Sequence, residues 1–502
     1  MQFTVLDFHG TPPPDQQGAF LFTESWDDFG YQTTFTLHVR QADGRLLHVG
    51  ALRIAHMDMG PTDPSFLRTA DRLPQTFESL PPGFFSLGQE DDYYESLHLL
   101  PRETAFEILL ALNDVAYESG RGTVDLKVGD LHVFRTSLMR LTTADTFRRM
   151  RRTALGGDRV AAYKWSYTPP AAGLLPPHTF TFKAEPHQLP PTNLHALIGR
   201  NGVGKSHLLH DLAREVTSGN IEVQSLVPDD EVKLNECVVV SFSPFDKSYS
   251  PGPDAVMRLD YVGLRHPEEN RLMSDDELFE EFAKGFALAR VGARGERWHR
   301  AITTLNYNAS GFLDGHMEEL ETCMRLGTLT EMAQRLKPIF DSLSSGHRVV
   351  LMIVTSLVAI VTERTLVLMD EPETHLHPPL LAALMRCVSD LLSHRNGMAV
   401  IATHSPVVLQ EVPASCVWRM VRHGGTLTAH RPGLETYGEN VGELTHEAFG
   451  LEVTATGYHA RLAQLVDDGL SYEEITSRFS GLGSEARSLL RAMTFTRSRG
   501  QN

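Results

Sequence analysis

A glycine-rich turn carries the clearest chemistry in the sequence, because residues 199–206 read GRNGVGKS. Glycine backbone lets several N–H groups converge on phosphate oxygens where a helix begins, and the following lysine and hydroxyl reach the β- and γ-phosphates and a magnesium ion. An apolar run precedes the turn and a helical pattern follows it, which disfavours a plain strand-to-helix turn as the alternative. We therefore predict a site for ATP and Mg²⁺, with the metal on Ser206 and the nucleotide held by Gly199, Asn201, Gly202, Gly204, Lys205, Ser206 and His207.

Two consecutive carboxylates, Asp370 and Glu371, follow the apolar run TLVLM at residues 365–369. A carboxylate at a strand end suits the shell of a bound magnesium ion, and the next one is offset enough to orient or deprotonate an attacking water. An acidic turn would be the preferred interpretation if this run stood alone. Because it lies in the same part of the chain as the glycine-rich turn, we assign Asp370 to the metal and Glu371, with Lys205, to catalysis.

Two further polar groups lie where a strand or a helix is expected to end. The apolar run GMAVIAT leads to His404, and strand C-termini face the nucleotide in a parallel sheet, so we predict that His404 senses the γ-phosphate and acts in catalysis. The stretch LSSGH places Ser344, Ser345 and Gly346 at the start of an apolar helix. N–H groups there form a second anion site, although the stretch alone would be interpreted as a helix cap.

The surrounding elements suggest three regions. Near the N-terminus, YQTTFTLHVR and LLHVGALRIAH flank the turn residues QADG, as in two antiparallel strands, and a helix is predicted over Arg102 to Tyr117. Proline and glycine crowd the stretch from Tyr167 to Pro177, where we place a boundary. We predict a β-rich region with helices at 1–170, an ATPase domain at 178–450 with a helical lobe at about 254–341, and a helical tail at 451–502.

Composition limits the class of protein. The 502 residues are 41% hydrophobic and 22% charged, as in globular proteins, and the longest apolar stretch, Val349 to Val361, is too short to span a bilayer. No secretory signal is evident and the four cysteines have no metal-site spacing, so we expect a cytoplasmic protein without membrane contact. A net charge of −17 argues against a surface that binds nucleic acid everywhere.

One short basic stretch could still bind nucleic acid. The sequence FRRMRRT places four guanidinium groups, which suit bidentate phosphate contacts, on a short helical segment. A solvated or inter-subunit charged face is the preferred alternative in so acidic a chain. The arginines concerned are Arg148, Arg149, Arg151 and Arg152.

The order of these motifs resembles that of the ATP-binding-cassette (ABC) ATPases, including their SMC-like and OLD-like soluble branches, over roughly residues 178–420. The resemblance implies an α/β fold with an ABC-ATPase-like nucleotide-binding domain and ATP sites completed between two chains arranged head to tail, in a homodimer or higher oligomer. It also implies the roles of the matching residues. Lys205 and Ser206 match the P-loop pair, Ser344 and Gly346 the signature, Asp370 the magnesium-shell aspartate, Glu371 the catalytic glutamate, and His404 the switch histidine.

Three departures from the ABC pattern are visible. The signature LSGGQ is replaced by LSSGH, and EPETHLHP stands where a D-loop aspartate is usual, as in OLD-like ATPases. No Q-loop glutamine follows the strand CVVVS, which leaves Ser243 and Asp246 as possible substitutes. His375 and His377 could be imagined as metal ligands with Glu373, but an interface role beside the nucleotide is preferred.

Two stretches on either side of the cassette motifs indicate which branch of the ABC ATPases the chain resembles. ESWDDFGYQTTFTL and ETYGENVGELTHEAFGLE resemble the PtuA-type ATPase subunits of Septu-type antiphage systems, which also occur with some retrons. That resemblance implies an ATPase that assembles with an HNH nuclease and, in retron versions, with a reverse transcriptase and its DNA product. No complete nuclease motif follows the cassette, so no cleavage is expected from this chain alone. A stand-alone RecF- or SMC-like ATPase in DNA repair or DNA-end processing remains the alternative.

Overall fold

The structure, a computed structural model, describes most of the chain. It describes all residues except 9, 25–26, 28–29, 61–67, 122–125, 141, 158–160, 171–177, 227–231, 245–248, 250–251, 253, 267–268, 270, 308–309, 314, 326–327, 424–425, 451–456 and 501–502. Asp246 and most of the boundary stretch up to Pro177 therefore lie outside the described residues.

The N-terminal region contains a mostly antiparallel sheet in the strand order β5-β1-β2-β3-β4-β6. Its hairpin joins β3 to β4 across the turn at residues 41–45, which confirms the prediction from QADG. The strands are β1 (Phe3–Leu6), β2 (Gly18–Thr23), β3 (Thr34–Arg40), β4 (Leu46–His56), β5 (Thr76–Phe77) and β6 (Phe84–Gly88).

Helices pack on this sheet around one apolar core. The helix predicted over Arg102 to Tyr117 is broken in two, because Asn113 has a left-handed φ of 46° and buried Asp114 accepts the Tyr117 N–H at the start of a new helix. The helices are α1 (Asp91–Leu97), α2 (Arg102–Ala111), α3 (Val115–Arg121) and α4 (Ala144–Ala154).

Seven of the described strands form the central sheet, in the order β12-β11-β13-β14-β9-β15-β16. All neighbours are parallel except β15 and β16. Alternate residues of each inner strand enter two apolar cores, one on each face, which explains the continuous apolar runs in the sequence. The strands are β9 (Leu194–Ile198), β11 (Glu236–Ser241), β12 (Leu259–Gly263), β13 (Thr365–Asp370), β14 (Met398–Thr403), β15 (Val417–His423) and β16 (Thr426–His430).

A small antiparallel sheet covers one face of the central sheet. It consists of β10 (Val223–Ser225), β7 (Tyr163–Tyr167) and β8 (Phe180–Ala184), and their buried aromatic side chains share a core with the central strands. β7 thus precedes the predicted boundary stretch but pairs with β8 beyond it. The residue limits of the three regions stay predictions.

Along the chain, helices lie between the central strands and after them. The acidic run SDDELFEEF opens a helix as expected, with Ser274 and Glu277 forming a reciprocal capping box, whereas the range 254–274 contributes edge strand β12 instead of helix. The helices are α5 (Lys205–Thr217), α6 (Asp275–Ala289), α7 (Gly292–Leu305), α8 (Met317–Arg325), α9 (Leu329–Ser342), α10 (Ser345–Ile360), α11 (Pro378–Ser393), α12 (Pro406–Gln410) and α13 (Val441–Phe449).

The C-terminal helices have a small apolar core of their own. They are α14 (Gly457–Asp467), α15 (Tyr472–Arg478) and α16 (Ser484–Gly500), in agreement with the helical tail predicted from the sequence. Across the described residues, no helix combines the length and the apolar character needed to cross a membrane.

A buried cluster of charges joins three parts of the fold. Asp92 and Glu95 of α1 contact Arg294 and Arg297 of α7, and also Arg395, which precedes β14. The Arg395 side chain is only 2% exposed. We call these five residues the acid–arginine cluster; it ties the N-terminal region to both the helical segment and the central sheet.

Candidate functional site

The predicted catalytic residues meet because their strands end at one edge of the parallel sheet. Asp370 pairs with Ala402 in the neighbouring strand, and Thr403 pairs with Ile198 in the next, so β13, β14 and β9 end almost level. The glycine-rich turn follows Ile198, Glu371 follows Asp370, and His404 follows Thr403. The carboxyl ends of the strands therefore bring together residues that are far apart in the sequence.

Close backbone approach and a left-handed turn explain the glycines. A Cβ at Gly199 would stand 2.5 Å from the Met420 carbonyl oxygen, which excludes any larger residue there. Gly204 has a φ of 110°, which only glycine adopts without strain, and it directly precedes α5. The turn and α5 line a cavity of about 200 Å³ with Glu371 on its wall; its other lining residues are Asn201, Gly202, Gly204, Lys205, Ser206 and His207.

The lysine and serine of the turn each donate hydrogen bonds at this edge of the sheet. The Ser206 Oγ donates to Asp370 Oδ1 at 3.0 Å, so the two predicted magnesium ligands are adjacent. The Lys205 ammonium donates to the carbonyls of Gly199 and Arg200, at 3.0 and 3.3 Å. Burial lowers the pKa of Lys205, and the nearby carboxylates of Glu371, Glu373 and Asp370 oppose that shift.

These groups fit a magnesium–nucleotide pair. Mg²⁺ prefers hard oxygen ligands and keeps several of its waters, and the adjacent Ser206 hydroxyl and Asp370 carboxylate supply two such oxygens. Asp370 is 2% exposed, so its charge faces this edge from within the fold. The described residues contain no group of three or more His, Cys, Asp or Glu side chains that could hold a metal ion.

Glu371 and His404 lie beside each other at the mouth of the site. Glu371 has a left-handed φ of 45°, held by its N–H bond to the Ala402 carbonyl at 2.9 Å. A strained non-glycine backbone of this kind is typical of functional positions. The Nδ1 of His404 is 3.8 Å from Glu371 Oε1 and 3.0 Å from Glu373 Oε1, so a second carboxylate holds the histidine more closely.

The LSSGH stretch begins α10, as predicted. Ser344 caps the helix by accepting the His347 N–H at 3.3 Å. Gly346 lies against the turn after Glu371, since a Cβ there would be 2.5 Å from the His375 carbonyl oxygen. Ser344, Ser345 and Gly346 are not among the residues that line the 200 Å³ cavity, as far as the described chain shows.

Two residues near the site escaped the sequence analysis. Tyr249 follows β11 and donates its hydroxyl to Asp370 Oδ2 at 3.2 Å, while its ring stacks on His210 of α5 at 3.7 Å. Arg422 of β15 donates to the Val203 carbonyl at 3.1 Å. Tyr249 lies after the strand CVVVS, where ABC ATPases have their Q-loop, but a lone tyrosine in an irregular stretch gives no periodic signal. Arg422 lies beside the turn because β15 is the neighbour of β9 in the sheet, and the sequence does not reveal this strand order.

Two of the four arginines on α4 pair with carboxylates of the same chain. Arg149 pairs with Asp91 at 3.1 Å, and Arg152 pairs at 2.5 Å with Glu363, whose side chain is 4% exposed. Arg148 and Arg151 are exposed. Arg149 and Arg152 therefore have carboxylate partners within the chain, in line with the preferred alternative of a charged face, while nucleic-acid binding by the four arginines stays a prediction.

A larger cavity of about 820 Å³ lies away from the phosphate-binding turn. Its wall includes Glu236, where β11 begins, and Arg395, just before β14, so it opens at the amino ends of the parallel strands. Carboxylates and guanidinium groups both line it, among them Asp91, Asp92 and Arg149. Because phosphate binding belongs to the opposite edge, we do not assign the nucleotide to this larger cavity.

Comparison with known proteins agrees with the site. Residues 329–410 match the family described as "AAA domain, putative AbiEii toxin, Type IV TA system". Protein ea59 of Escherichia phage lambda is 34% identical over 537 aligned residues, which cover 100% of this chain and 99% of that protein. Neither of these two matches is to a Septu-type or retron-associated protein.

Solved structures give weaker matches. The protein cbiO1 from Clostridium perfringens, part of the ABC transporter complex cbiONQ, is 14% identical, with 62% of this chain and 100% of that chain covered at a TM-score of 0.29. An ATP-binding cassette of an ABC transporter in its ADP conformation is 14% identical, with 59% and 96% covered at a TM-score of 0.28.

The expected α/β class, with a β-rich N-terminal region and a helical C-terminal region, is confirmed by the fold. The glycine-rich turn, the carboxylates beside it and the full-length relative lead to one conclusion. The chain is an ATP-binding P-loop NTPase and belongs to the family of the phage lambda protein ea59.

Proposed function

We propose that the chain hydrolyses ATP with the help of Mg²⁺. The observation that carries this proposal is the meeting of Lys205, Ser206, Asp370, Glu371 and His404 at one edge of the central sheet. A bound magnesium ion would offset phosphate charge and polarise the terminal phosphoryl group. Ser206 and Asp370 would hold the ion.

The remaining residues have separable tasks. Lys205 would leave the carbonyls of its own turn and donate to the phosphates, which offsets their charge. Glu371, on the wall of the cavity, would accept a proton from the attacking water or orient it. His404 would donate to the terminal phosphate from the neighbouring strand end.

Two variants test this division of roles. Lys205→Ala should weaken ATP binding, whereas Glu371→Gln should bind ATP with unchanged affinity and fail to turn it over. Binding of a fluorescent ATP analogue and release of phosphate would be measured for each. Lys183→Ala, at a half-exposed lysine of β8, is the matched control and should change neither quantity. Wild-type turnover by Glu371→Gln would remove Glu371 from the catalytic step.

The ATPase cycle should also need a second copy of the chain. Helix α10 presents Ser344 and Gly346 at its N-terminus outside the cavity formed by Lys205 and Ser206. In the proposed head-to-tail dimer, this N-terminus of one chain would meet the terminal phosphate bound by the other, so that each site contains residues of both chains.

The biological role that we propose is regulation of a partner nuclease in defence against phage. Two observations support it: the flanking sequences resemble Septu-type ATPase subunits, and the family matched by residues 329–410 is described in terms of a toxin–antitoxin system. Co-purification from the native operon, with identification of bound protein and nucleic acid, tests the proposal. Recovery of an HNH-type nuclease would support it. Recovery of DNA alone would favour a stand-alone ATPase in DNA repair.

A further inference from the structure

The acidic residue two positions after Glu371 has an unusual set of partners. Glu373 Oε1 accepts the Thr403 hydroxyl at 2.7 Å and the His404 backbone N–H at 2.7 Å. The same oxygen lies 3.0 Å from His404 Nδ1. One carboxylate oxygen therefore makes three polar contacts with residues at the end of β14.

The turn after β13 explains how Glu373 reaches that strand. The Thr374 N–H bonds to the Glu371 carbonyl at 3.1 Å, and the Leu376 N–H bonds to the Glu373 carbonyl at 3.0 Å, so the chain reverses directly after the catalytic carboxylate. Glu373 is consequently directed back into the fold, and its side chain is 8% exposed. Burial in contact with three donors favours a fixed position for this carboxylate.

These contacts decide which ring nitrogen of His404 carries hydrogen. A carboxylate oxygen that already accepts from Thr403 and from a backbone N–H can only accept a third bond, so Nδ1 must be the donor. The other ring nitrogen, Nε2, is then the one left to face a ligand, and it can donate to a phosphate oxygen when the ring is the imidazolium, with hydrogen on both nitrogens. Because the His404 side chain is about half exposed, Nε2 is accessible at the mouth of the site.

We infer that Glu373 is a positioning residue for the ATPase reaction. It fixes the rotamer and the Nδ1–H form of His404, and it ties the end of β14 to the turn that carries Glu371. This inference rests on the proposed ATP hydrolysis and adds to it a residue that does not itself touch the nucleotide. Hydrogen-bond partners that orient metal-ligating histidines affect metal affinity or activity by about 10- to 100-fold, and we expect an effect of similar size for the histidine here.

The unused oxygen of Glu373 shows how to design the test. Oε2 is buried and has no hydrogen-bond partner among the described residues. Glu373→Gln can therefore place its amide oxygen at the Oε1 position and keep all three contacts, whereas Glu373→Ala removes the acceptor altogether. The glutamine variant should restore part of the activity that the alanine variant loses.

The kinetic experiment is a double-mutant cycle with His404→Ala. Glu373→Ala should lower kcat by about 10- to 100-fold and change KM for ATP by less than about two-fold. In the His404→Ala background the same substitution should have almost no further effect, because its influence passes through the histidine. Glu435→Gln is the matched control, since Glu435 Oε1 also accepts three N–H groups but in a loop outside the cavity.

Multiplicative effects of the two substitutions, or a glutamine variant as inactive as alanine, would refute the inference. A second readout does not need turnover. With ¹⁵N-labelled histidine, the signals lost in His404→Ala identify this ring, and they should report hydrogen on Nδ1 in the wild type and a changed distribution in Glu373→Ala. If the wild type hydrolyses no ATP but shows this tautomer, ATP hydrolysis fails and the positioning of His404 stands. If His404 carries its hydrogen only on Nε2, the positioning role fails whatever the activity.

Discussion

Removing one charge from the acid–arginine cluster should destabilise the whole chain. Asp92 contacts three guanidinium groups, at 2.6 Å from Arg294, 2.6 Å from Arg297 and 2.5 Å from Arg395. Asp92→Asn keeps the shape of the side chain but leaves Glu95 as the only carboxylate of the five. Loss of one partner from a buried pair costs about 3–5 kcal/mol, a large part of the roughly 5–15 kcal/mol that stabilises a typical domain.

The stabilisation that the Asp92 carboxylate contributes should decrease as the pH falls. Burial acts to raise the pKa of Asp92, but the guanidiniums of Arg395, Arg297 and Arg294 outweigh it and hold that pKa well below its ordinary value. The stabilisation is therefore complete above the ordinary aspartate pKa of about 3.9 and is lost as the pH falls below it towards the folded-state pKa. The difference between wild type and Asp92→Asn should be full at pH 7 and should shrink only under acid conditions.

Urea unfolding followed by tryptophan fluorescence measures the effect. Glu319→Gln breaks the pair with Arg335, whose side chains are 42% and 44% exposed, and should cost less than about 1 kcal/mol. If Asp92→Asn unfolds at the same urea concentration as this control, the cluster contributes no net stability. An effect that grows as the pH falls would contradict the assigned pKa direction.

Four further outcomes are expected. Tyr249→Phe removes a donor to Asp370, so half-maximal ATPase activity should need about 10-fold more Mg²⁺, and an unchanged magnesium titration would contradict this. Arg422→Gln should weaken ATP binding by about 10-fold in a fluorescence titration, because a guanidinium beside the phosphate-binding turn is lost; equal affinities would show that Arg422 serves the turn alone. Mixing Lys205→Ala and Gly346→Asp chains should recover part of the ATPase activity that each lacks, and no recovery despite mixed dimers in native mass measurements would exclude composite sites. The purified chain should leave DNA intact with Mg²⁺ or Mn²⁺; cutting that survives mutation of the ATP site would overturn this.

The residues at the nucleotide edge were predictable because their signals are local. A glycine-rich turn between a strand and a helix, and an apolar run that ends in Asp370, each report a backbone conformation within about ten residues. In a parallel sheet the carboxyl ends of neighbouring strands lie at the same edge, so these residues come together whatever their side-chain contacts. Glu373 was visible in the same motif, but its hydrogen bonds depend on a turn that follows a left-handed residue, which the sequence alone does not indicate.

Contacts between regions could not be predicted in this way. In the sequence, Arg149 and Arg152 belong to an arginine-rich stretch that would look the same if it bound phosphates. Only the fold reveals that their partners are Asp91 and Glu363. The break at Asn113 has a similar origin. Its side chain donates to the Phe84 carbonyl at 2.9 Å, so tertiary contact overrides a continuous helical pattern.

The position of β9 has a consequence for how the protein is made. Its neighbours in the sheet are β14 and β15, so about 200 residues must be synthesised after the phosphate-binding turn before the first of them exists. At about 5–20 residues per second, translation leaves β9 without either partner for roughly 10–40 s, with its backbone groups exposed on both sides. Gly199 also packs against Met420, so the turn cannot take its final shape any earlier. A nascent chain should therefore acquire affinity for ATP only after β15 has left the ribosome, and until then β9 is the segment most in need of protection by a chaperone.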